Sequence, residues 1–357
     1  MSNLFQPLHF KSGTSLKNRF MLAPLTNTQS HSDGRLSDDE YHWLTLRAKG
    51  GFGLTMTCAA HVQAVGQGFP GQLGVFGDEH LEGLTRLAQG IKAEDSLAVV
   101  QLHHAGMRSP AELIGQPPVC PSDNAETGAV ALSTEAVEQL IEDFICAAER
   151  AEKAGFDGVE IHGAHGYILA QFLSSTINQR QDHFGGSLEN RMRPITQIID
   201  GVRARCRPSF LLGLRLSPER FDVQLPDIIQ VAKVILAAGK IDFLDMSLWD
   251  SFKEPQDEAY QGRSLLSYFT ELERGGVALG IAGKLRNPEE VNRAMATGID
   301  FVMLGRAAIL HHDFPMQMQV DSNFTPVRNP VSADYLRQEG LGENFITYMS
   351  GWKGFVG

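Results

Sequence analysis

Eight short apolar runs bounded by turn-forming residues recur along the chain, at 20–25, 53–60, 98–102, 158–161, 210–216, 241–247, 277–282 and 301–304. Each is too short for a helix and lacks the polar alternation of a half-exposed strand, so the pattern predicts strands buried on both faces. Between them, apolar positions return with helical spacing, predicting helices over 133–154, 187–205 and 225–238. The first of these carries its own boundaries. Ser133 provides an N-cap, Glu135 sits in the first turn where negative charge is favoured, and Lys153 followed by Gly155 supplies a cation and a glycine stop.

Strand and helix alternate throughout with no linker, which predicts an α/β fold: a single (β/α)8 TIM barrel as one domain over residues 1–357. A barrel needs about 250 residues, so the surplus belongs in loops. Residues 106–132, rich in Pro, Gly, Ser and Asp, form an insertion after strand 3; residues 250–262 form another after strand 6, and a tail follows residue 310. A doubly wound sheet is the rival fold, but no G-x-G-x-x-G follows the first strand.

Charge and composition narrow the function. Thirty-one basic against 42 acidic residues give a net charge of −11, opposite to what a nucleic-acid binder needs to neutralise phosphates. The N-terminus lacks the basic-then-apolar pattern of a signal peptide, and no apolar run approaches the roughly 20 residues of a membrane span, so a cytoplasmic protein is expected. Cys58, Cys120, Cys146 and Cys206 lie too far apart for zinc or iron–sulfur spacing and read as reduced, mostly structural thiols.

Active sites of such barrels lie at the C-terminal ends of the strands, and here those ends are unusually polar. Strand 1 ends in Pro24-Leu25-Thr26, strand 3 in Gln101-Leu102-His103-His104, strand 4 in His162-Gly-Ala-His165-Gly-Tyr167 and strand 5 in Arg215. Strand 7 ends in Gly283-Lys284 and strand 8 in Gly305-Arg306. The last two ends form a phosphate site, with glycines admitting an anion to backbone N–H groups and Arg306 pairing with it; the alternative is a pair of tight turns and a surface ion pair. His162 and His165 read as metal ligands, as structural histidines or as paired donors to a ligand oxygen; a metal barrel would need further His and carboxylate ligands, so no metal is expected. Only one of the adjacent His103 and His104 can face inward. Tyr167 is either a proton donor to the same ligand or a buried tyrosine with a satisfied hydroxyl. Arg215, on a buried strand, requires an anionic ligand or an internal carboxylate.

Together these segments resemble the Old Yellow Enzyme family of FMN-dependent ene-reductases. The most specific stretch runs from His162 through Ser175 (HGAHGYILAQFLSS), then Asn178, Arg180 and Asp182, then FGGSLENRMR from Phe184 to Arg193. Residues 18–26 (NRFMLAPLT) are similar to the family's first strand and residues 100–106 (VQLHHAG) to its third.

The resemblance implies non-covalent FMN over the barrel mouth, its phosphate at Gly283, Lys284, Gly305 and Arg306. Gln101 would bond the pyrimidine edge of the flavin, Arg215 would lie near N1 and the C2 carbonyl, and Thr26 near O4, with backbone of Pro24, Leu25 and Cys58 close by. His162 and His165 would bind the carbonyl oxygen of an activated alkene, hydride would pass from the flavin to the β-carbon, and Tyr167 would protonate the α-carbon. NADH or NADPH would reduce the flavin first, in a ping-pong cycle with small-molecule substrates and neither nucleic acid nor membrane as partner.

Some positions depart from the family's branches. Thr26 matches the classical branch and His165 the thermophilic-like one, while Thr28 and Met107 replace a tyrosine and an arginine and are expected to alter the substrate pocket. Phe184 and Pro194 read as structural variation. The tail Tyr348-Met-Ser-Gly-Trp-Lys-Gly does not clearly present the arginine finger that some members lend across an interface, so a homo-oligomer stays open. The alternatives are a dienoyl-CoA-reductase-like flavin barrel, which would need cluster-spaced cysteines, and a non-catalytic flavin or phenol sensor, which would need no proton donor at position 167.

Overall fold

A computed structural model describes residues 3–357. Eight parallel strands close into a barrel: β1 (Phe20–Leu22), β2 (Leu54–His61), β3 (Leu97–His103), β4 (Gly158–Gly163), β5 (Leu211–Leu216), β6 (Phe243–Ser247), β7 (Ala278–Ala282) and β8 (Phe301–Leu304), each beside its sequence neighbour. The register closes where Val302, Met303 and Leu304 face Phe20, Met21 and Leu22. Strand 1 is shorter than its apolar run. Ala23 N still donates to Leu304 O at 3.0 Å, but Pro24 has no N–H to continue the ladder.

Around the barrel lie α1 (Asp38–Lys49), α2 (Leu81–Lys92), α3 (Thr134–Lys153), α4 (Leu188–Arg205), α5 (Leu225–Ala238), α6 (Ser267–Thr270), α7 (Pro288–Met295) and α8 (Arg306–Leu310). The three helices expected from periodicity appear within a residue of their expected ends. Ser133 and Ser187 accept from the backbone N–H groups of Ala136 and Asn190, fixing the starts of α3 and α4. A second turn of architecture follows the barrel: α9 (Phe314–Val320), α10 (Ala333–Gln338) and α11 (Glu343–Ser350). Phe345 of α11 stacks edge-on against Trp43 of α1 with ring centres 4.9 Å apart, which carries the tail back to the barrel mouth.

The barrel interior is layered. At the bottom Met21, Leu54, Val99, Leu211, Phe243 and Phe301 form an apolar cluster, plugged from below by Leu8, Phe10 and Leu16 of the hairpin Leu8–His9/Ser15–Leu16. Gly213 and Gly280 make room for the two phenylalanines: a β-carbon there would lie 2.1 Å from the Phe243 ring and 1.9 Å from that of Phe301. Above this floor the inward positions turn polar, with Gln101, Glu160 and Asp245 all buried. Residues 104–133 after β3 and 248–266 after β6 fall where the loops were expected, and residues 164–187 after β4 form a third long connection. No helix among the described residues is long and apolar enough to cross a membrane.

Candidate active site

A cleft opens at the C-terminal mouth of the barrel in two adjoining halves of about 300 and 210 Å³. Pro24, Leu25, His165, Arg215 and Arg306 line both; Thr26, Gln101, His162 and Tyr167 line the smaller half, and Gly283, Lys284 and Gly305 the larger. Cys58 does not line it. The contact expected of Cys58 is through its backbone; its side chain is buried in the layer between barrel and helices, beside Glu40, and the next residue, Ala59, lines the cleft. The cause is a register irregularity in β2 between Met56 and Ala59, which shifts the strict in-out alternation of the strand.

The two histidines stand together at the end of β4. Backbone N–H of Ala164 donates to His162 Nδ1 at 3.3 Å, which leaves the proton of His162 on Nε2. That nitrogen lies 3.2 Å from His165 Nδ1, and His165 Nε2 lies 2.7 Å from Ser247 Oγ, so the pair forms a relay from His162 through His165 to Ser247. Burial, then the neighbouring imidazole and Arg215, holds His162 well below the usual histidine range; burial, then Arg215 and Arg108, does the same for His165. Both are neutral donors near neutral pH. A ligand oxygen would take the His162 proton in place of His165. His165 has a φ of 58°, an uncommon conformation for a non-glycine residue, braced by its N–H bond to Ser217 Oγ at 3.0 Å.

Tyr167 packs edge-on against His103 and His162, with ring centres 4.3 and 5.1 Å away, and its hydroxyl has no hydrogen-bond partner among the described residues. It therefore differs from a buried tyrosine with a satisfied hydroxyl. Burial raises its phenol above the ordinary value, so it remains protonated, and the Arg108 guanidinium lies 4.7 Å from its ring centre. Thr28 and Met107 are not among the residues that line the cleft, and the cation beside the site comes from Arg108, one residue beyond Met107. His103 faces inward and hydrogen-bonds Gln72 at 3.0 Å, while His104 turns outward and accepts from Gly106 N.

Of the two alternatives that the burial of Arg215 raised, the structure shows the internal carboxylate. Arg215 Nε lies 2.8 Å from Asp245 Oδ2, opposite it on β6, while the side chain also borders the cleft. Next to it Gln101 Nε2 donates to Glu160 Oε1 at 2.7 Å, directing the Gln101 carbonyl away from Glu160. Glu160 and Asp245 are fully buried; burial and the Asp245 charge push the Glu160 carboxyl up to about 8, and burial raises Asp245 against the opposing pull of Arg215. Asp245 thus pairs with Arg215, while Glu160 beside them keeps its proton near neutral pH.

At the far end of the cleft, Gly283 O accepts from Ser251 N and Ser251 Oγ at 3.1 and 2.6 Å, and a β-carbon on Gly283 would sit 3.0 Å from that hydroxyl. Lys284 pairs with Asp250 at 3.1 Å. Arg306 has no ion pair or hydrogen bond among the described residues, so it is not the surface ion pair that the alternative required. Sequence reasoning missed Ser247, Trp249, Arg286, Tyr348 and Trp352, which also line the cleft. Conversely, Asn178, Arg180, Asp182 and Arg191 stand outside it and act as clamps. Asn178 Nδ2 bonds the carbonyls of Phe172 and Phe184, and Arg180, paired with Asp182, reaches Pro121 O at 2.9 Å and Leu132 O across the insertion after β3.

Comparison with known proteins agrees with this geometry. Residues 3–323 match the model of the NADH:flavin oxidoreductase / NADH oxidase family. A probable NADH-dependent flavin oxidoreductase of Bacillus subtilis, YqiG, is 36% identical over 326 residues, 88% of this chain and 87% of that one. An NADPH dehydrogenase of Listeria innocua is 33% identical over 314 residues, covering 86% of this chain and 91% of that one. Among solved structures, the old yellow enzyme homologue from Zymomonas mobilis superposes with a TM-score of 0.79 at 26% identity, covering 94% of this chain and 96% of its own. The matched length, the closed barrel and these relatives lead to one conclusion: the chain belongs to the Old Yellow Enzyme family of FMN- and NAD(P)H-dependent flavin oxidoreductases.

Proposed function

We propose that this protein is an ene-reductase that reduces small activated alkenes, α,β-unsaturated carbonyl compounds or nitroalkenes, at the cleft over β4 and β5. The observation that carries the reading is the meeting of neutral donors (His162, His165), a protonated phenol without a partner (Tyr167) and a buried guanidinium (Arg215) around one cavity. The chain's residues fit FMN. Arg215 presents a cation at the barrel wall, Gln101 an amide oriented by Glu160, and Arg306 a guanidinium without a partner beside the glycine-lined end of the cleft at Gly283 and Gly305. Lys284 adds charge there, and Pro24, Leu25 and Thr26 supply the remaining wall.

FMN held by these residues would supply the redox chemistry, hydride transfer from NAD(P)H to the β-carbon of the alkene by way of the flavin. The protein does the rest. His162 donates from Nε2 to the carbonyl or nitro oxygen, and His165 turns from Ser247 to give the second bond; two fixed donors withdraw electron density from the alkene. Tyr167 holds a proton for the α-carbon. Arg215 favours negative charge on whatever ring lies against it.

Titration of the yellow holoprotein with a phenol tests the oxygen-binding pair, since a phenolate held by the histidines and stacked on the flavin produces a long-wavelength charge-transfer band. Loss of one hydrogen bond to a charged group costs about 1.5–3 kcal/mol, so His162→Ala is expected to weaken phenol binding about ten- to a hundredfold. Unchanged affinity would assign the pair a purely structural role.

A further inference from the structure

The polar layer beneath the cleft contains more charge than ligand binding requires. Asp245 and Glu160 are both fully buried, yet Glu160 Oε2 and Asp245 Oδ1 have no hydrogen-bond partner among the described residues, and the Arg215–Asp245 contact of 2.8 Å runs from Nε at an angle too poor for a hydrogen bond. Buried polar atoms are seldom left without partners, and charge in a dry layer acts at long range because little solvent screens it. Asp245 lies against the Nε edge of Arg215; the two terminal nitrogens of the guanidinium make no hydrogen bond among the described residues, and the side chain borders the cleft.

We propose that Asp245 is a positioning residue that sets the reduction potential of the bound flavin through Arg215. The inference rests on the flavin reading above. An unopposed Arg215 would stabilise the negative charge that a flavin gains on reduction and would raise its potential. Asp245 opposes that effect by offsetting the cation, and it fixes which face of the guanidinium turns upward. Glu160 has a separate task. Facing Gln101 on β3, Arg215 on β5 and Asp245 on β6, it carries a proton, orients the Gln101 amide and adds no net charge.

The distinction is measurable in the holoprotein. Asp245→Asn retains shape and removes one charge, so it is expected to raise the midpoint potential by about 30–60 mV, the equivalent of a ten- to hundredfold shift for a two-electron couple. Sulfite, whose addition leaves negative charge on the oxidised ring, is expected to bind at least tenfold tighter. Glu160→Gln, which replaces a neutral acid by a neutral amide, is expected to change either quantity less than threefold at pH 7. In an Arg215→Gln background the Asp245→Asn shift is expected to vanish, which a merely structural role would not produce.

Should Asp245→Asn alone fail to fold, the double variant with Arg215→Gln removes both charges together, a change that buried pairs tolerate better than loss of one partner. Its potential is expected to equal that of Arg215→Gln, because an unpartnered Asp245 takes up a proton; a higher potential in the double variant would overturn the proposal. A potential in Asp245→Asn within threefold of the wild-type equilibrium would also overturn it. Flavin bound with an unshifted potential defeats this inference alone, whereas a protein that binds no flavin defeats the functional reading as well.

Discussion

Replacing Tyr167 by Phe removes one oxygen atom whose role is legible from its surroundings. The hydroxyl makes no hydrogen bond among the described residues, so stability is expected to change by less than about 1 kcal/mol. The ring stays held by His103 and His162. Chemistry is another matter. A general acid contributes about 10²–10⁴-fold, or roughly 3–5 kcal/mol, and that is the slowing expected for reoxidation of the reduced enzyme by an enone. Reduction of the flavin by NAD(P)H needs no proton at the alkene carbon and is expected to stay within about threefold of wild type. Burial raises the phenol above its ordinary value, so its proton is retained through the neutral range and this group adds no titration to the alkene half-reaction there. Nitroalkenes provide an internal control. Their reduced intermediates are stable enough to leave and take a proton from water, so the variant should be much less impaired with them. Stopped-flow traces of the separate half-reactions decide the matter; equal slowing of both halves, or of neither, refutes the assignment of Tyr167 as proton donor.

Two other expectations come from named contacts. Arg306→Ala is expected to weaken FMN binding about ten- to a hundredfold, measured by fluorescence titration of the apoprotein, while inorganic phosphate protects the wild type more than the variant. Asp182→Asn is expected to cost about 2–3 kcal/mol at neutral pH in thermal or denaturant unfolding, because it removes the carboxylate from the largely buried Arg180. The Asp182 carboxyl is held well below the usual range by Arg180, so its stabilisation is present above pH about 4 and is lost as pH falls below its unfolded value; the difference between variant and wild type should shrink in acid.

The barrel could be read from the sequence because strands buried on both faces leave continuous apolar runs, and because glycine and serine punctuate the helices between them. Catalytic candidates were legible for the related reason that polar groups at the C-terminal ends of buried strands have few purely structural uses. What stayed hidden depended on events that composition does not record. The irregularity in β2 turns the Cys58 side chain toward the helices and brings Ala59 to the cleft. Tyr348 and Trp352 lie near the end of the chain and reach the cleft only because Phe345 docks on Trp43. Glu160 and Asp245 did leave a signal, a charge two positions before an inward polar residue on the same strand, but their alternation with His162 and Ser247 becomes meaningful only once the barrel closes. The signature from Asn178 to Arg191 had the opposite fate: specific in sequence, it proved to be a set of backbone clamps around the site.

Single turnover with isotopically labelled nicotinamide tests the central claim most directly. The holoprotein is reduced anaerobically with NAD(P)H deuterated at the transferred position, freed of nicotinamide, and mixed with one equivalent of 2-cyclohexenone while flavin absorbance is followed. The account predicts reoxidation of the flavin with formation of cyclohexanone bearing deuterium at the β-carbon and a solvent-derived hydrogen at the α-carbon. A flavin that stays reduced in the presence of the enone, or a product without deuterium at the β-carbon, would contradict it.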